Sequence, residues 1–588
     1  MPFMKIPVPT SVIRIAVIVV VFGAWLTFEI HDRPRHGIDD ANIFLTYAEN
    51  LAAGEGITYA RNAERIEGFT STLWMLTGAA VFLVGGSERA MLILSVLLVI
   101  LTQAVLLQAL RIRAEANHTR AGPFLVLYGI LILASPGYIT WMTITLMDTA
   151  LWGLVVAAMI YYLLLPPRST KQWIVAGLLF AAAPLARPEG LLVAPALLVL
   201  LWIRTSENRP ALSGMRCGII GAAVVVVVIA LTAFRIRYFG HPLPNTYYVK
   251  VSPSLAYNLQ EGFAYLFRFV TSGAVTGVSV AVVMVGGAAW FGRMIDVCLS
   301  GRNAGPRWGM KAFEALSLAA VLLLLVPVYG GGDHFVMFRF YQPAYPILCL
   351  ALLWPLLDGR VMCRPVIQDL RTWAGRHKST VFLGSLAITG WLAFFSSEYS
   401  WMRVADRHPL HHEFDIADKG IDLGTELGAL FYRGTEEYPS IGVIRAGGIA
   451  RTYPGPIVDL MGLNNRVIAH FPGDRMGIKN HAAFEIDAFF LVEPDILIAS
   501  PPIPPDRSNF DSVALKGLFN EKRFIEGWRF GILSRTDIPE FRYQGFFNKQ
   551  FLDDLSGHTA FEYHDTRVWS DGWWRRIERQ DISSGLDR

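Results

Sequence analysis

Residues 12–40 read VIRIAVIVVVFGAWLTFEIHDRPRHGIDD, an apolar run that is followed at once by a polar loop and a pair of aspartates. The run is long enough to cross about 30 Å of hydrocarbon as a helix. Because no small-residue cleavage site follows it, we interpret it as a retained membrane span rather than a cleaved signal peptide. The chain is therefore predicted to enter a bilayer here and to place Asp39 and Asp40 at the membrane surface.

The composition of the 588 residues supports a membrane protein. Hydrophobic residues make up 53% and charged residues 17%, whereas about 25% of a typical soluble protein is charged. Residues 398–588 hold 22 basic and 29 acidic residues, against 30 and 19 in residues 1–397. We therefore predict a transmembrane domain over 1–397 and a soluble α/β domain over 398–588. A single soluble globule, a disordered chain and a nucleic-acid binder are excluded, and four cysteines in the apolar part suggest neither disulfides nor a zinc site.

Apolar runs of spanning length recur through the first part of the chain. They predict about eleven transmembrane helices, near 12–29, 90–110, 121–139, 148–165, 172–186, 190–204, 217–236, 272–292, 312–329, 340–357 and 379–397.

The run 71–86 is short and ends in two glycines, and the charge of the loops decides how it is interpreted. If it does not cross, five loops that hold 17 Lys and Arg residues fall on the same side as Lys5. The positive-inside rule makes that side cytoplasmic. We therefore interpret 71–86 as a juxtamembrane or re-entrant helix packed against protein. The chain is predicted to lie in the cytoplasmic membrane, with its N-terminus inside and residues 398–588 outside.

The same topology collects unusual polar residues at the outward ends of the spans. Ionisable groups at such places are functional candidates. We predict a polar cavity at the outer membrane surface, with the candidate residues Asp39, Asp40, Arg187, Lys250, His334 and Arg339. Seven further residues are predicted to bind the substrate there: Glu67, Asp148, Glu189, Asn245, Tyr248, Asp333 and Tyr341.

The pair Asp39-Asp40 is the strongest candidate. One aspartate is enough to cap the helix that follows, by accepting a backbone N–H bond. The other is then free to act as a general base or as a metal ligand. A divalent cation, Mg²⁺ or Mn²⁺, at Asp40 is left open, and no other metal site is predicted.

Two further candidates also have an ordinary structural interpretation. Glu67 could be an acid that the dipole of the next helix favours at its N-terminus, and it could pair with Arg65. Arg187 could pair with Glu189 in a tight interfacial turn, or it could face a cavity and hold a phosphate bidentately.

The stretches around residues 245 and 335 also have two interpretations each. Asn245, Tyr248 and Lys250 belong either to an interfacial aromatic belt or to a sugar or phosphate site. Asp333, His334, Arg339 and the adjoining Tyr341 form either a capped glycine-rich turn or part of the same site.

No Walker A sequence, Rossmann glycine fingerprint or Ser nucleophile elbow occurs in the chain. A cytosolic nucleotide donor could not reach a site on the outer face, so group transfer there would need a lipid-linked donor. A basic residue would hold the lipid phosphate, and an aspartate would deprotonate the acceptor hydroxyl.

Several motifs together resemble membrane GT-C glycosyltransferases, and most closely the AftB-like terminal arabinofuranosyltransferases that use decaprenyl-phosphate arabinose. In chain order they are Asp39-Asp40, AENLAAGEG from Ala48, RIEGFTSTLW from Arg65, LMDTA from Leu146, RPEG from Arg187, PNTYYVK from Pro244, GDHFVMFRF from Gly332 and IVDLMGLNNRVIAH from Ile457.

The resemblance implies a GT-C fold and an inverting transfer of an arabinofuranose-like sugar from a polyprenyl phosphate to a cell-envelope glycan or glycoprotein. Asp39 would be the base and Asp40 would orient the acceptor. The donor phosphate would be surrounded by Arg187, Lys250, His334 and Arg339. The partners would be the lipid-linked donor, the acceptor and the bilayer, with no nucleic acid.

Two other classes of function stay open. One is a transporter or flippase of a lipid-linked sugar, although the ionisable residues lie at span ends rather than at the midplane and no inverted repeat is visible. The other is a membrane-anchored glycan-binding scaffold whose working part is 398–588.

Residues 398–588 have the pattern of a small α/β domain. Apolar runs of strand length alternate with helical stretches there, the runs at 441–444, 457–460, 489–492 and 495–499 and the helical stretches at 415–432 and 480–488. His408, His411 and His412 are interpreted as a solvated linker, because no carboxylate or cysteine stands at ligand spacing.

Overall fold

The computed structural model describes residues 8–60, 63–206, 210–299, 310–357, 400–406, 410–432, 435, 437–502, 509–538, 540–570 and 572–577. Within these ranges the first part of the chain is helical and the second part contains a β-sheet. The predicted architecture, a multi-pass helical membrane part followed by an α/β domain, is confirmed. The predicted span 379–397 and the predicted boundary after residue 397 lie outside the described residues.

The described helices of the first part are α1 (Thr10–Ile30), α2 (Asp39–Ala52), α3 (Thr72–Leu83), α4 (Glu88–Ala116), α5 (Ala121–Leu133), α6 (Pro136–Thr143), α7 (Thr149–Leu164), α8 (Thr170–Ala186), α9 (Gly190–Ser206), α10 (Pro210–Phe239), α11 (Asn245–Lys250), α12 (Leu255–Thr271), α13 (Ala274–Leu299), α14 (Ala312–Tyr329) and α15 (Tyr345–Leu357). A 3-10 helix, Arg339–Ala344, leads directly into α15.

The described helices of the second part are α16 (Trp401–Ala405), α17 (Leu410–Phe431), α18 (Arg466–His470), α19 (Ile486–Val492), α20 (Phe510–Ala514), α21 (Lys522–Gly527) and α22 (Lys549–Leu555). The 3-10 turns there are Gly448–Arg451 and Leu518–Asn520. The strands are β1 (Ile441–Val443), β2 (Ile457–Asp459), β3 (Ile496–Ile498), β4 (Trp528–Arg535), β5 (Arg542–Asn548), β6 (Phe561–Ser570) and β7 (Trp573–Arg576).

Six helical segments in the described ranges are long and apolar enough to cross a bilayer, and they coincide with six of the predicted spans. They are Thr10–Ile30, Glu88–Ala116, Ala211–Phe239, Ala274–Ile295, Ala312–Tyr329 and Arg339–Leu357. Three further predicted spans form the apolar helices α7, α8 and α9, of 16, 17 and 17 residues. At about 1.5 Å per residue these three are shorter than the hydrocarbon core of a typical bilayer.

The predicted span 121–139 differs from the expectation because it is broken into two helices. The axes of α5 and α6 are bent by 77°. Ser135 begins α6 by accepting a hydrogen bond from the Tyr138 backbone N–H, and Pro136, which lacks an N–H, occupies the first helical position. All eight residues of α6 are buried, so the break turns this segment into the interior of the protein.

The run 71–86 forms α3, a helix of 12 residues. Its length of about 18 Å is too short to cross a bilayer. It packs on α2, and the Trp74 indole N–H donates to the Leu146 carbonyl at 3.0 Å. The helix therefore meets the predicted requirement that a juxtamembrane or re-entrant segment be packed against protein.

The C-terminal domain contains a seven-stranded mixed sheet with the strand order β2-β1-β3-β5-β4-β6-β7. β1 pairs in parallel with β2 and β3, and the remaining pairs are antiparallel. Three predicted strands are confirmed as β1, β2 and β3. The predicted strand 489–492 is wrong, because these residues complete helix α19. Four consecutive apolar residues do not distinguish a buried strand from a buried helix, and here Phe489 packs into the domain core.

One hydrophobic core joins the two parts of the chain. Ile43 and Phe44 of α2 belong to the same buried cluster as Phe414 of α17, Val443 of β1 and Phe547 of β5. The C-terminal domain is therefore packed against the membrane part along α2.

The loop after α14 is held by close packing between α12 and α14. Gly262 of α12 lies against the backbone of Val328, and a Cβ atom at residue 262 would overlap the Val328 carbonyl oxygen. Because α14 ends at Tyr329, this contact sets the direction in which the chain leaves toward Asp333. Glycine is required at this crossing.

We expect Gly262→Ala to destabilise the detergent-solubilised protein by about 1–3 kcal/mol, because overpacking against backbone cannot be relieved by a rotamer change. Thermal unfolding followed by size-exclusion chromatography measures the effect. Gly218→Ala on α10 is the matched control, since a Cβ there meets nothing within 4 Å and both variants gain helix propensity. Equal melting temperatures for the two variants would contradict the close crossing.

Candidate active site

A cavity of about 280 Å³ lies between the membrane part and the C-terminal domain, close to the lower end of the usual range for ligand pockets. The membrane part contributes Asp39, Asp40, Ile43, Lys250, His334 and Phe335 to its lining. The C-terminal domain contributes His412, Glu413, Ile416, Ile444, Arg445, Ala446, Asp459, Met461, Leu463, Asn480, His481 and Phe510. Four predicted site residues, from three separate segments of the chain, therefore meet at one cavity.

Asp39 is held by the C-terminal domain. Its carboxylate accepts backbone N–H bonds from Gly447 at 3.0 Å and from Gly448 at 2.7 Å. The N-cap residue of α2 is Ile38 and makes no side-chain cap bond, so the capping interpretation of the aspartate pair is wrong. Burial raises the pKa of Asp39, and the two backbone N–H bonds oppose that rise. Two donors fix the orientation of this carboxylate at the cavity wall.

Asp40 has a different environment one residue later. Its Oδ2 lies 3.4 Å from Nη1 of Arg339 and 3.7 Å from Nζ of Lys250. Burial alone would raise the pKa of Asp40, but the charges of Lys250, Arg339 and His334 outweigh burial and hold this pKa below its ordinary value. Asp40 is therefore a charged group paired with cations.

Arg339, which contacts Asp40, is held in place by a second acid, Asp333. Its Nε donates to Asp333 Oδ2 at 2.7 Å, and its guanidinium lies over the Phe335 ring, 4.4 Å from the ring centre. Asp333 also accepts a bond from Nδ2 of Asn480, in the C-terminal domain, at 2.9 Å. Arg339 is only 3% exposed. It therefore acts on the cavity through Asp40.

Lys250 and His334 are the basic groups that the membrane part brings to the cavity surface. Their side chains are 22% and 27% exposed. His334 Nδ1 lies 2.9 Å from Nδ2 of Asn480 and 3.4 Å from Oδ1 of Asp333. Both side chains are fixed by acids or amides while remaining accessible from the cavity.

Arg187, Asp148 and Glu189 form a second ion cluster beside this one. Arg187 Nη1 donates to Asp148 at 2.7 Å, and its Nε and Nη2 donate to the two oxygens of Glu189 at 3.1 Å each. The Phe340 ring contacts both guanidinium groups, with its centre 5.3 Å from that of Arg187 and 5.0 Å from that of Arg339. Arg187 makes the predicted pair with Glu189 and lines a smaller cavity with Arg339.

Glu67 pairs with Arg235 of α10 and not with Arg65. The two Glu67 oxygens accept bonds from Nε and Nη2 of Arg235 at 2.7 and 2.8 Å. Arg65 instead places its guanidinium over the Tyr238 ring at 4.7 Å. The predicted alternative of a Glu67–Arg65 pair is therefore wrong. The partner is 168 residues away, so local sequence gives no signal for it.

Asn245 and Tyr248 connect α11 to the C-terminal domain. Asn245 Nδ2 donates to the carbonyls of Gly462 and Leu463 at 2.7 and 3.1 Å. The Tyr248 carbonyl accepts a bond from Nε of Arg475 at 3.1 Å. These two residues serve the interface between the two parts.

Tyr341 lies inside the helical part. It is fully buried, and its ring stacks on Tyr265 and Phe269 with centres 5.0 and 4.6 Å away. The structure therefore places it in the packing that supports the Arg339 segment.

The wall formed by the C-terminal domain was not predicted. Arg445 pairs with Asp511 at 3.2 Å and lies over the Phe510 ring at 5.2 Å. Arg445 and Asp459 stand at the carboxyl ends of the parallel strands β1 and β2. Because ligands often bind at that edge of a parallel sheet, polar residues after these two strands were the signal that could have found this wall.

The interpretation of the histidine-rich segment as a linker is also wrong. His411 and His412 lie in helix α17, which packs on the domain through Leu410 and Phe414. His412 lines the cavity, and His411 Nε2 lies 3.4 Å from Oδ2 of Asp32. Apolar residues at 410 and 414 recur with helical spacing, which determines the helix. His408 is outside the described residues.

The side chains around Asp40 do not fit a Mg²⁺ or Mn²⁺ site. In the ranges that the structure describes, no group of three or more His, Cys, Asp or Glu residues is arranged to hold a metal ion. Lys250 and Arg339 already lie against the Asp40 carboxylate, and their charge repels a cation.

Glu413 of α17 makes the stability of the protein depend on pH. Burial, with the neighbouring charges of Asp40 and Asp39, raises the pKa of Glu413 to about 7. A carboxyl with a raised pKa contributes stability below its unfolded pKa of about 4.3, and that contribution is lost as the pH rises through the folded pKa. We expect Glu413→Gln to be more stable than the wild-type protein by about 1–3 kcal/mol at pH 8, with the difference vanishing near pH 4.

Thermal unfolding across this pH range tests the expectation for Glu413. The exposed Glu426 lies on the same helix, and Glu426→Gln is the matched control. Parallel stability curves for wild type and Glu413→Gln would contradict a carboxyl that titrates near neutral pH.

Glu67 and Arg235 are both buried, and each neutralises the charge of the other. Glu67→Met and Arg235→Met should each destabilise the protein by about 3–5 kcal/mol, because each leaves one charge buried and unpaired. The double variant should be more stable than either single variant. Chemical denaturation of the four proteins measures this cycle, with Arg65→Met as a control. A Glu67→Met protein of unchanged stability that has lost substrate affinity would instead support the predicted substrate-binding role.

No family model matches the chain, and no curated protein matches it. Among solved structures, the chain is similar to the crystal structure of ArnT from Cupriavidus metallidurans bound to undecaprenyl phosphate. The similarity has 15% sequence identity and a TM-score of 0.44, and it covers 75% of this chain and 85% of the other. A likeness this distant leaves the function to be inferred from the chain's own site.

Proposed function

We propose that the protein is a GT-C glycosyltransferase that takes an arabinofuranose-like sugar from a polyprenyl phosphate. It transfers the sugar with inversion to a cell-envelope glycan or glycoprotein at the outer face of the cytoplasmic membrane. The observation that carries the proposal is one cavity that Asp39, Asp40, Lys250 and His334 line together. An acid for the acceptor and cations for a lipid phosphate are adjacent there.

The donor phosphate is assigned to the basic side of the cavity. Lys250 and His334 lie on the wall supplied by the membrane part, and Arg445 lies on the wall supplied by the C-terminal domain. When the sugar departs, the lipid phosphodiester becomes a phosphate monoester and its charge goes from −1 to −2. Cations placed at the phosphate therefore stabilise the transition state more than the bound donor.

We assign Asp40 and Arg339 to the organisation of this basic side, in place of the acceptor-orienting role expected for Asp40 and the direct phosphate contact expected for Arg339. Asp40 holds Lys250 in place and Asp333 holds Arg339. Arg187 contacts the Phe340 ring, which also contacts Arg339. Direct phosphate binding by Arg187 stays a prediction.

Asp39 is the proposed general base. It takes the proton of the acceptor hydroxyl while that oxygen attacks the anomeric carbon on the face opposite the phosphate. The bond from the anomeric carbon to the phosphate oxygen breaks, and the polyprenyl phosphate leaves. Burial raises the pKa of Asp39 while the neighbouring cations lower that of Asp40, so Asp39 is the stronger base of the pair.

The acceptor is assigned to the wall made by the C-terminal domain. Phe510 offers an aromatic face on which a sugar ring can stack, and Glu413 and Asn480 offer hydrogen-bonding groups beside it. The surface is suited to a glycan. The seven predicted substrate contacts are assigned to the scaffold. Glu67, Asn245, Tyr248 and Tyr341 support the packing of the helices and the C-terminal domain, and Asp148, Glu189 and Asp333 hold buried arginines.

The test compares Asp39→Asn, Asp40→Asn and Lys250→Ala in a transfer assay with synthetic polyprenyl-phosphate arabinofuranose and a glycan acceptor. Asp39→Asn should lower kcat by about 10²–10⁴-fold, as removal of a general base does. Lys250→Ala should lower both kcat and the affinity for donor, and Asp40→Asn should mainly weaken donor binding. Asp422→Asn, an exposed change on α17, is the control.

Full activity in both Asp39→Asn and Asp40→Asn would contradict the mechanism. Parallel assays with other polyprenyl-phosphate sugars decide the sugar. Movement of intact donor across liposomes that contain the purified protein, with no sugar transfer, would favour a flippase instead.

A further inference from the structure

One turn of the C-terminal domain, residues 447–451, contacts α2 at several points along a single helical face. The backbone N–H groups at the beginning of the turn bind Asp39. At its end, Arg451 donates from Nη1 to Asn42 Oδ1 at 3.2 Å and from Nε to Glu49 Oε2 at 2.9 Å. Positions 39, 42 and 49 are three and seven residues apart, which is the spacing of one helical face.

Arg451 anchors this turn in the membrane part. Besides Asn42 and Glu49, its Nη2 donates to Glu88 Oε1, at the beginning of α4, at 2.7 Å. The Arg451 side chain is only 6% exposed. Two acids from two helices therefore hold one buried guanidinium, and the turn cannot move away from α2 without breaking these contacts.

The turn begins with Gly447 and Gly448, and the space around each of them is too small for a side chain. A Cβ atom on Gly447 would overlap the Asp39 carbonyl oxygen, and a Cβ atom on Gly448 would overlap the Ala417 carbonyl oxygen of α17. The turn is thus fitted between α2 and α17. Only residues without side chains let both N–H groups reach the Asp39 carboxylate.

We propose that Gly447 and Gly448 are positioning residues for the transfer reaction, and that the C-terminal domain completes the active site by holding the carboxylate of the base. The inference rests on the proposed function, in which Asp39 receives the acceptor proton. The docked turn orients Asp39 toward the cavity and stabilises its ionised form.

The chemistry predicts how the rate depends on pH. A base must be ionised to accept a proton, so the rate falls below the pKa of Asp39. Hydrogen bonds from backbone N–H groups favour the ionised form. Their loss raises the pKa of Asp39, and the acidic limb of the rate profile moves to higher pH. The other ionisable groups around Asp39 are Asp40 on its own helix, Arg445 and Glu413 from the C-terminal domain, and Tyr59.

The experiment compares Gly447→Ala with wild type in the full-length, detergent-purified protein. In Gly447→Ala, kcat should fall about tenfold or more, the KM for donor should change little, and the acidic limb of kcat against pH should move up by about one pH unit. Gly527→Ala at the end of α21 is the matched control, because a Cβ there meets nothing within 4 Å.

A second pair of variants keeps the test decisive if Gly447→Ala does not fold. Arg451→Met removes the anchor without adding a steric clash, and Arg451→Lys keeps a positive charge there. Arg451→Met should shift the acidic limb in the same direction as Gly447→Ala, and Arg451→Lys should partly restore the wild-type profile. A merely structural role would lower the amount of active protein and leave the shape of the profile unchanged.

The outcomes separate this inference from the proposed function. If Asp39→Asn abolishes transfer but Gly447→Ala and Arg451→Met keep the wild-type pH profile, the positioning role is overturned and the proposed base stands. If Asp39→Asn is fully active, the base assignment fails, and the positioning role fails with it.

Discussion

The hydrogen bonds from the backbone N–H groups of Gly447 and Gly448 to the Asp39 carboxylate are the contact on which the rest of the candidate site depends. They fix the C-terminal domain on α2, and the cavity exists because the domain closes over the helix ends at that point. The shared hydrophobic core around Phe44 and Phe414 supplies the area of the contact. The buried hydrogen bonds determine where along α2 the domain docks, because any other position would leave the Asp39 carboxylate buried and without donors.

Two neighbouring aspartates acquire different chemistry from their surroundings alone. Asp39 is buried among backbone dipoles and has a raised pKa, whereas Asp40 lies between Lys250 and Arg339 and has a lowered pKa. Pairs of acids whose environments separate their pKa values are typical of sites that divide charge stabilisation from proton transfer. Asp333 and Asn480 extend the arrangement by holding Arg339 and His334.

Part of the candidate site could be predicted because membrane topology is a strong constraint. Asp39, Lys250 and His334 lie far apart in the chain, yet each follows or precedes an apolar run on the side that was predicted to be outward, and they meet at one cavity. The partner of Glu67 could not be predicted, because Arg235 lies on a helix that reaches it only by tertiary packing. The break between α5 and α6 had only a weak signal in the sequence, the pair Ser135-Pro136 within an otherwise apolar run.

By itself, the sequence determined an apolar helical part followed by a charged α/β domain, because hydrophobic length and periodicity are local properties that each segment carries alone. It also determined which polar residues lie near span ends. Only the tertiary structure decided which of them line the cavity, which pair with buried arginines, and that Glu413 and Arg445 form the opposite wall. The reason is physical: a carboxylate acquires its role from the donors and charges around it, and for Asp39 those donors lie about 400 residues further along the chain.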